Sequence, residues 1–177
     1  ARISVYSESQ NQMMKLLAEG RVDAAIAFAA PKTNDYAGVM IGSEPLQIIA
    51  APTHPLAKQK SVALADLEHF DFVAGLQESE GWAFVDTMLE GSGFMKRRII
   101  LRMQGADSIN NAVIHGIGLA CTIASAAHQG IEEGKLVALK IEPALRPVPI
   151  KWMIRDDTMC RELLEAFIPA LVAAQNA

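Results

Sequence analysis

The chain has 177 residues, 51% of them hydrophobic and 20% charged, which is an ordinary soluble composition. A chain of this size buries roughly 70% of its unfolded surface, so one domain or two small lobes can form without disulfide or metal staples. The net charge of −4 lacks the basic excess of a nucleic-acid-binding surface, which argues against DNA or RNA contact by these residues.

ISVYS (3–7) reads as a short strand, and SESQNQMMKLLAEG (7–20) as a helix that Ser7 or Ser9 can cap and Gly20 can end. DAAIAFAA (23–30) is continuously apolar, as a strand buried on both faces should be. Strand, helix, strand over so short a span predicts a βαβ unit and a parallel sheet. PLQIIAAP (45–52) is another apolar strand. The proline-flanked APTHPLA (51–57) then bends the chain, with His54 in the turn rather than in a metal or catalytic set. SVALADLEHF (61–70) predicts a short helical turn, FDFVAG (70–75) a buried strand, and GWAFVDTMLEGSG (81–93) a helix. RRIILRM (97–103) is a strand, DSINNAVIHG (107–116) a helix, and GLACTIA (118–124) a strand. KLVALKI (135–141) and VPIKWMIR (148–155) complete the strands. A last helix starts near Thr158, and Pro169 should kink it or end it, because an interior proline costs about 3 kcal/mol.

The uncharged run 108–131 is long enough to cross a bilayer, but its asparagines, histidines and glycines make it a buried helix, turn and strand. The opening ARISVYS lacks a charged start followed by an apolar run and does not read as a secretory leader. Cys121 and Cys160 stand far apart, with no histidines at zinc spacing, and read as free thiols of a reducing compartment. The sequence lacks G-x-S-x-G, H-E-x-x-H and a dinucleotide glycine loop, so nothing nominates a catalytic residue or a cofactor. KRR (96–98) with Arg102 reads as a solvated strand entrance.

The alternation is α/β throughout. Residues 1–51 and 141–177 are expected to form one lobe and 52–140 a second, which gives two Rossmann-like lobes joined by two crossovers. Ligands of open α/β sheets bind beyond the carboxyl ends of the strands, where helix starts present free N–H groups. Three such steps lie at 7–9, 76–81 and 107–108. Ser7, Ser9, Leu76, Gln77 and Ser108 are the candidate contacts there, and Ala29 and Ala30 a candidate apolar wall. Glu78 and Asp107 would repel an anion and are expected to point away.

Four segments, in order, carry a resemblance. LLAEGRVDAAIA, HPLA followed by VALADL, SINNAVIHGIGL and GKLVAL resemble successive steps of the effector-binding domain of LysR-type transcriptional regulators. The resemblance implies a periplasmic-binding-protein type of fold and a small anionic effector held between the lobes. It implies no catalysis, a cytoplasmic location, and DNA contact only through a winged helix-turn-helix that is absent from this chain. It also implies a homodimer or homotetramer, with 3–6 and 9–20 as candidate pairing elements, and a first lobe lacking its opening strand and helix. Two other readings stay open: a periplasmic solute-binding protein, and an enzyme on the same framework.

Overall fold

A computed structural model describes residues 3–6, 8–28, 36–77, 80–94, 96–155, 158 and 161–175. The chain forms two compact units, one from Ala1–Ser43 and Pro149–Ala177, the other from Glu44–Val148, and passes between them twice. In chain order the first elements are α1 (Gln10–Ala18), β1 (Ala24–Phe28), β2 (Tyr36–Glu44) and β3 (Leu46–Ala50). After a 3-10 turn at Pro55–Lys58 come β4 (Val62–Ala63), a second 3-10 turn at Leu64–His69, and β5 (Asp71–Gly75). Then follow α2 (Glu80–Gly91), β6 (Arg98–Met103), α3 (Ala106–Ile114), β7 (Ala120–Ile123) and α4 (Ala124–Glu132). The chain closes with β8 (Val137–Leu139), β9 (Ile141–Glu142), β10 (Val148–Arg155), α5 (Arg161–Glu165) and α6 (Ile168–Gln175).

In the first unit the sheet order is β1-β10-β2, with β1 antiparallel to β10. This differs from the parallel βαβ pattern expected of 3–30. Residues 3–6 form no strand, and Ile3, Val5 and Tyr6 are exposed. A strand is held by a laddered neighbour, and alternation of side chains alone does not supply one. In one buried cluster of this unit Leu17 of α1 packs with Ala25, Ala27 and Met153, and Ile41, Ile150 and Ile154 are buried as well. β2 carried no strand signal because Gly38 and Gly42 dilute it. Gly38 has a packing reason, since a Cβ there would lie 2.8 Å from the Met153 sulfur. The last helix is broken as Pro169 predicts: α5 stops at Glu165 and α6 resumes with the proline in its first turn, where it is tolerated.

In the second unit β5 and β6 are parallel, and Phe72 bridges in parallel to Leu119, which leads into β7. β7 runs antiparallel to β3, and β3 antiparallel to β8. The order across the unit is therefore β6-β5-β7-β3-β8. Gly118 fits only because it lacks a side chain, since a Cβ would sit 2.6 Å from the Asp71 carbonyl oxygen. Both faces are covered. Val73 packs with Ile109, Ala112 and Val113 of α3, whereas Phe72, facing the other way, meets Phe94. α4 had no strong sequence signal, because ASAAHQGIE is mostly small or polar and buries only Ala127. The Asn110 side-chain amide ties α3 to it, donating to the Ala126 carbonyl at 2.7 Å.

His54 is the cap of the first 3-10 turn. Its Nδ1 accepts from the Leu56 amide at 3.2 Å, and its ring packs against Phe70 with centroids 4.9 Å apart. Burial holds its pKa below the usual 6.5. The folded state therefore favours the neutral ring. Its contribution is complete above pH 6.5 and is lost as the pH falls from there through the lower folded value, because the unfolded chain takes up the proton first. His54→Asn keeps an acceptor for Leu56 without titrating. Urea midpoints measured just above and well below that window should fall less with acid in the variant than in the parent; equal falls would remove His54 from the account.

Candidate ligand site at the strand ends

β5, β6 and β7 run parallel, so their carboxyl ends, Gly75, Met103 and Ile123, lie along one edge of the second unit. The chain leaves β5 through α2 to reach β6 on one side, then returns through α3 past β5 to β7. Such crossovers are right-handed as a rule, which sets α2 and α3 on opposite faces and makes the ends of β5 and β6 the switch point at which ligands of open α/β sheets bind. Leu76 and Gln77 follow β5 at that point and are exposed. Ser108 lies in the first turn of α3, half-buried, and its hydroxyl has no partner among the described residues.

The helix starts differ in how they are satisfied. Ser9 caps α1, its hydroxyl accepting from the Gln12 amide at 3.3 Å. The start of α4 is closed by its own chain: the Ala124 amide donates to the Pro45 carbonyl at 2.9 Å and the Ser125 amide to the Glu44 carboxylate at 3.3 Å. Among the described residues α3 has no such closure. Its cap is Gly105, at φ +84°, with no side-chain bond to the helix, and the first ladder bond is Ile109 N–H to the Gly105 carbonyl. The amides of Ala106, Asp107 and Ser108 therefore face outward, where the helix dipole favours an anion. Asp107 is itself exposed.

Sequence alone put the start of α3 at Asp107 and Ser108, and missed Gly105. A glycine at positive φ ahead of an alanine carries none of the side-chain cap chemistry that marks helix starts. Arg102 was read as part of a solvated basic run. It is half-buried, and its Nη1 donates to the Gly75 carbonyl at 2.8 Å. Trp82, in the first turn of α2, lays its indole against Gly75, where any Cβ would fall inside the ring.

In the first unit, the Gln10 side-chain oxygen accepts from the Phe28 amide at 3.1 Å. That bond brings the start of α1, with Ser9, beside the end of β1. Ser7, Ala29 and Ala30 lie outside the described residues, as does Cys160. Cys121 is free and buried, and burial pushes its thiol well above the ordinary range, so it is not a thiolate nucleophile at neutral pH. Among the described residues no group of histidine, cysteine and carboxylate side chains could hold a metal ion, and no helix is long and apolar enough to cross a membrane.

Outward amides, a free hydroxyl and a guanidinium at the carboxyl edge of a parallel sheet are the parts of a small-molecule-binding α/β domain. The chain belongs to the LysR substrate binding domain family, whose model matches residues 1–176. It is similar to the HTH-type transcriptional regulator CbbR of Cereibacter sphaeroides, with 29% identity over 153 residues, covering 86% of this chain and 49% of that protein. It is also similar to the HTH-type transcriptional regulator CysB of Haemophilus influenzae, with 26% identity over 174 residues, covering 96% and 53%. The chain thus spans about half the length of these relatives. Among solved structures, the Synechocystis PCC6803 CcmR regulatory domain in complex with 2-PG superposes with a TM-score of 0.79 at 18% identity, covering 94% of this chain and 80% of that one. The effector binding domain of QuiR in complex with shikimate gives 0.80 at 16% identity, covering 98% and 81%. The fold is that of this family's α/β effector-binding domains, of the periplasmic-binding-protein type.

Proposed function

We propose that this chain is the effector-sensing part of a LysR-type transcriptional regulator and binds a small anionic metabolite. DNA contact then belongs to another part of the protein, in the cytoplasm, and the domain works as a homodimer or homotetramer. The observation that carries the reading is the uncapped start of α3, with the Ser108 hydroxyl beside it at a topological switch point. Leu76, Gln77 and Ser108 are the contacts proposed in the second unit, and Ser7, Ser9, Ala29 and Ala30 those proposed in the first. The exposed apolar side chains of Ile3, Val5 and Tyr6 support pairing of copies through 3–6 and α1. The similarity to transcriptional regulators favours this reading over a transport-linked solute-binding protein or an enzyme.

A thermal-shift screen of small organic acids and their neutral amides tests it. A bound acid at 100 times its Kd should add about 2.7 kcal/mol of stability, and its amide should add far less. The reading fails if only neutral compounds stabilise the chain, or if the chain converts a stabilising acid to product.

A further inference from the structure

β6 and the segment before it bring several cations together, and they are not satisfied alike. Arg97, almost fully buried, pairs with Asp86 of α2 at 2.8 Å. Arg98, at the amino end of β6, pairs with Asp71 at the amino end of β5. Both charges are neutralised by carboxylates. Arg102, near the carboxyl end, is different. Its bond goes to a neutral group, the Gly75 carbonyl, and among the described residues no carboxylate pairs with it. A guanidinium has five N–H donors in a planar fork, so the side chain keeps donors to spare while that bond fixes where it sits. The anchor is itself firm. Gly75 is the last residue of β5, its neighbours Phe72, Val73 and Ala74 are buried, and the Trp82 ring fills the space a side chain would take. The next residues, Leu76 and Gln77, are exposed.

We infer that Arg102 is the specificity-determining cation of the effector site: it binds the effector's oxyanion, a carboxylate or phosphate, at the end of β5, while the Gly75 carbonyl and Trp82 hold it in place. This rests on the effector-domain reading and adds to it a residue and a charge requirement. A half-buried guanidinium that no described carboxylate pairs with, held beside the exposed Leu76 and Gln77, suits a bidentate oxyanion, which would complete its donors and its charge together.

The test uses backbone and arginine side-chain NMR of the 177-residue chain, titrated separately with inorganic phosphate and with acetate into the millimolar range. At least one of the two should shift Arg102 Nε–H and the Leu76 and Gln77 amides saturably, and which one does so decides between phosphate and carboxylate. Arg102→Gln should weaken that binding about tenfold or more, the loss of a charge-assisted fork of roughly 1.4 kcal/mol or above. Arg102→Lys, which keeps the charge but not the fork, should fall between. Unshifted signals elsewhere in both variants show that the fold is kept. Equal binding by Arg102→Gln and the parent overturns the inference, as does failure of both anions to move those signals in the parent. Either result can coexist with an acid that stabilises parent and variant alike in the thermal screen, which would leave the effector-domain reading standing without Arg102.

Discussion

Phe72→Ala should destabilise the second unit by about 3–5 kcal/mol, the usual cost of truncating a fully buried aromatic. Phe72 is 1% exposed and packs against the equally buried Phe94 with ring centroids 5.6 Å apart. Its two chain neighbours carry the bridge from β5 to the segment entering β7: the Leu119 amide donates to the Asp71 carbonyl and the Val73 amide to the Leu119 carbonyl, each at 2.8 Å. The cavity therefore opens at the joint between the parallel and antiparallel halves of the sheet, where the neighbours cannot close in without breaking the ladder. The chain has two tryptophans, Trp82 in the second unit and Trp152 in the first. In a Trp152→Phe background, Trp82 fluorescence in urea reports the second unit alone. A midpoint shift worth less than about 1 kcal/mol, the range of surface substitutions and mild core swaps, would mean that Phe72 does not hold this joint.

Leu17→Ala should cost the first unit about 2–5 kcal/mol. Leu17 is fully buried, and its buried companions are two alanines and Met153. The two alanines have no rotamers with which to refill a void, so relaxation falls to Met153 and to the partly buried Met13, Met14 and Val22 packed against the cluster. α1 is nine residues long and would be marginal in isolation. Losing its single fully buried anchor should therefore loosen the whole helix, including the Gln10 bond to the Phe28 amide. The converse construction, Trp82→Phe with Trp152 retained, reads this unit. An unchanged Trp152 transition would show that α1 is held by something other than Leu17.

What the sequence revealed, and what it hid, follows from the kind of signal each element carries. β5 was legible because FVAG is a short apolar run after Asp71, and α3 because Ile109, Ala112 and Val113 recur at helical spacing. β2 and α4 were not, because glycines and alanines fill them and their placement comes from neighbours: Met153 over Gly38, and α3 beside α4. The expected strand at 3–6 has the right alternation but no ladder partner among the described residues. The site behaved in the same way. Serines announce themselves as cap or contact, and Leu76, Gln77 and Ser108 lie at one strand edge. The features that would set the chemistry of the proposed site are conformational. Gly105 leaves the α3 amides open, and Arg102 turns from solvent to the Gly75 carbonyl, which no local pattern of residue types encodes.

Amide hydrogen exchange, with and without a saturating amount of an acid that stabilises the chain, bears most directly on whether the end of β5 and the start of α3 receive the effector. Slowed exchange concentrated at 75–77 and 105–109, with α4's already closed start unchanged, is the expected pattern. Protection confined to other segments, with those amides exchanging as fast as before, would contradict the assignment of the site.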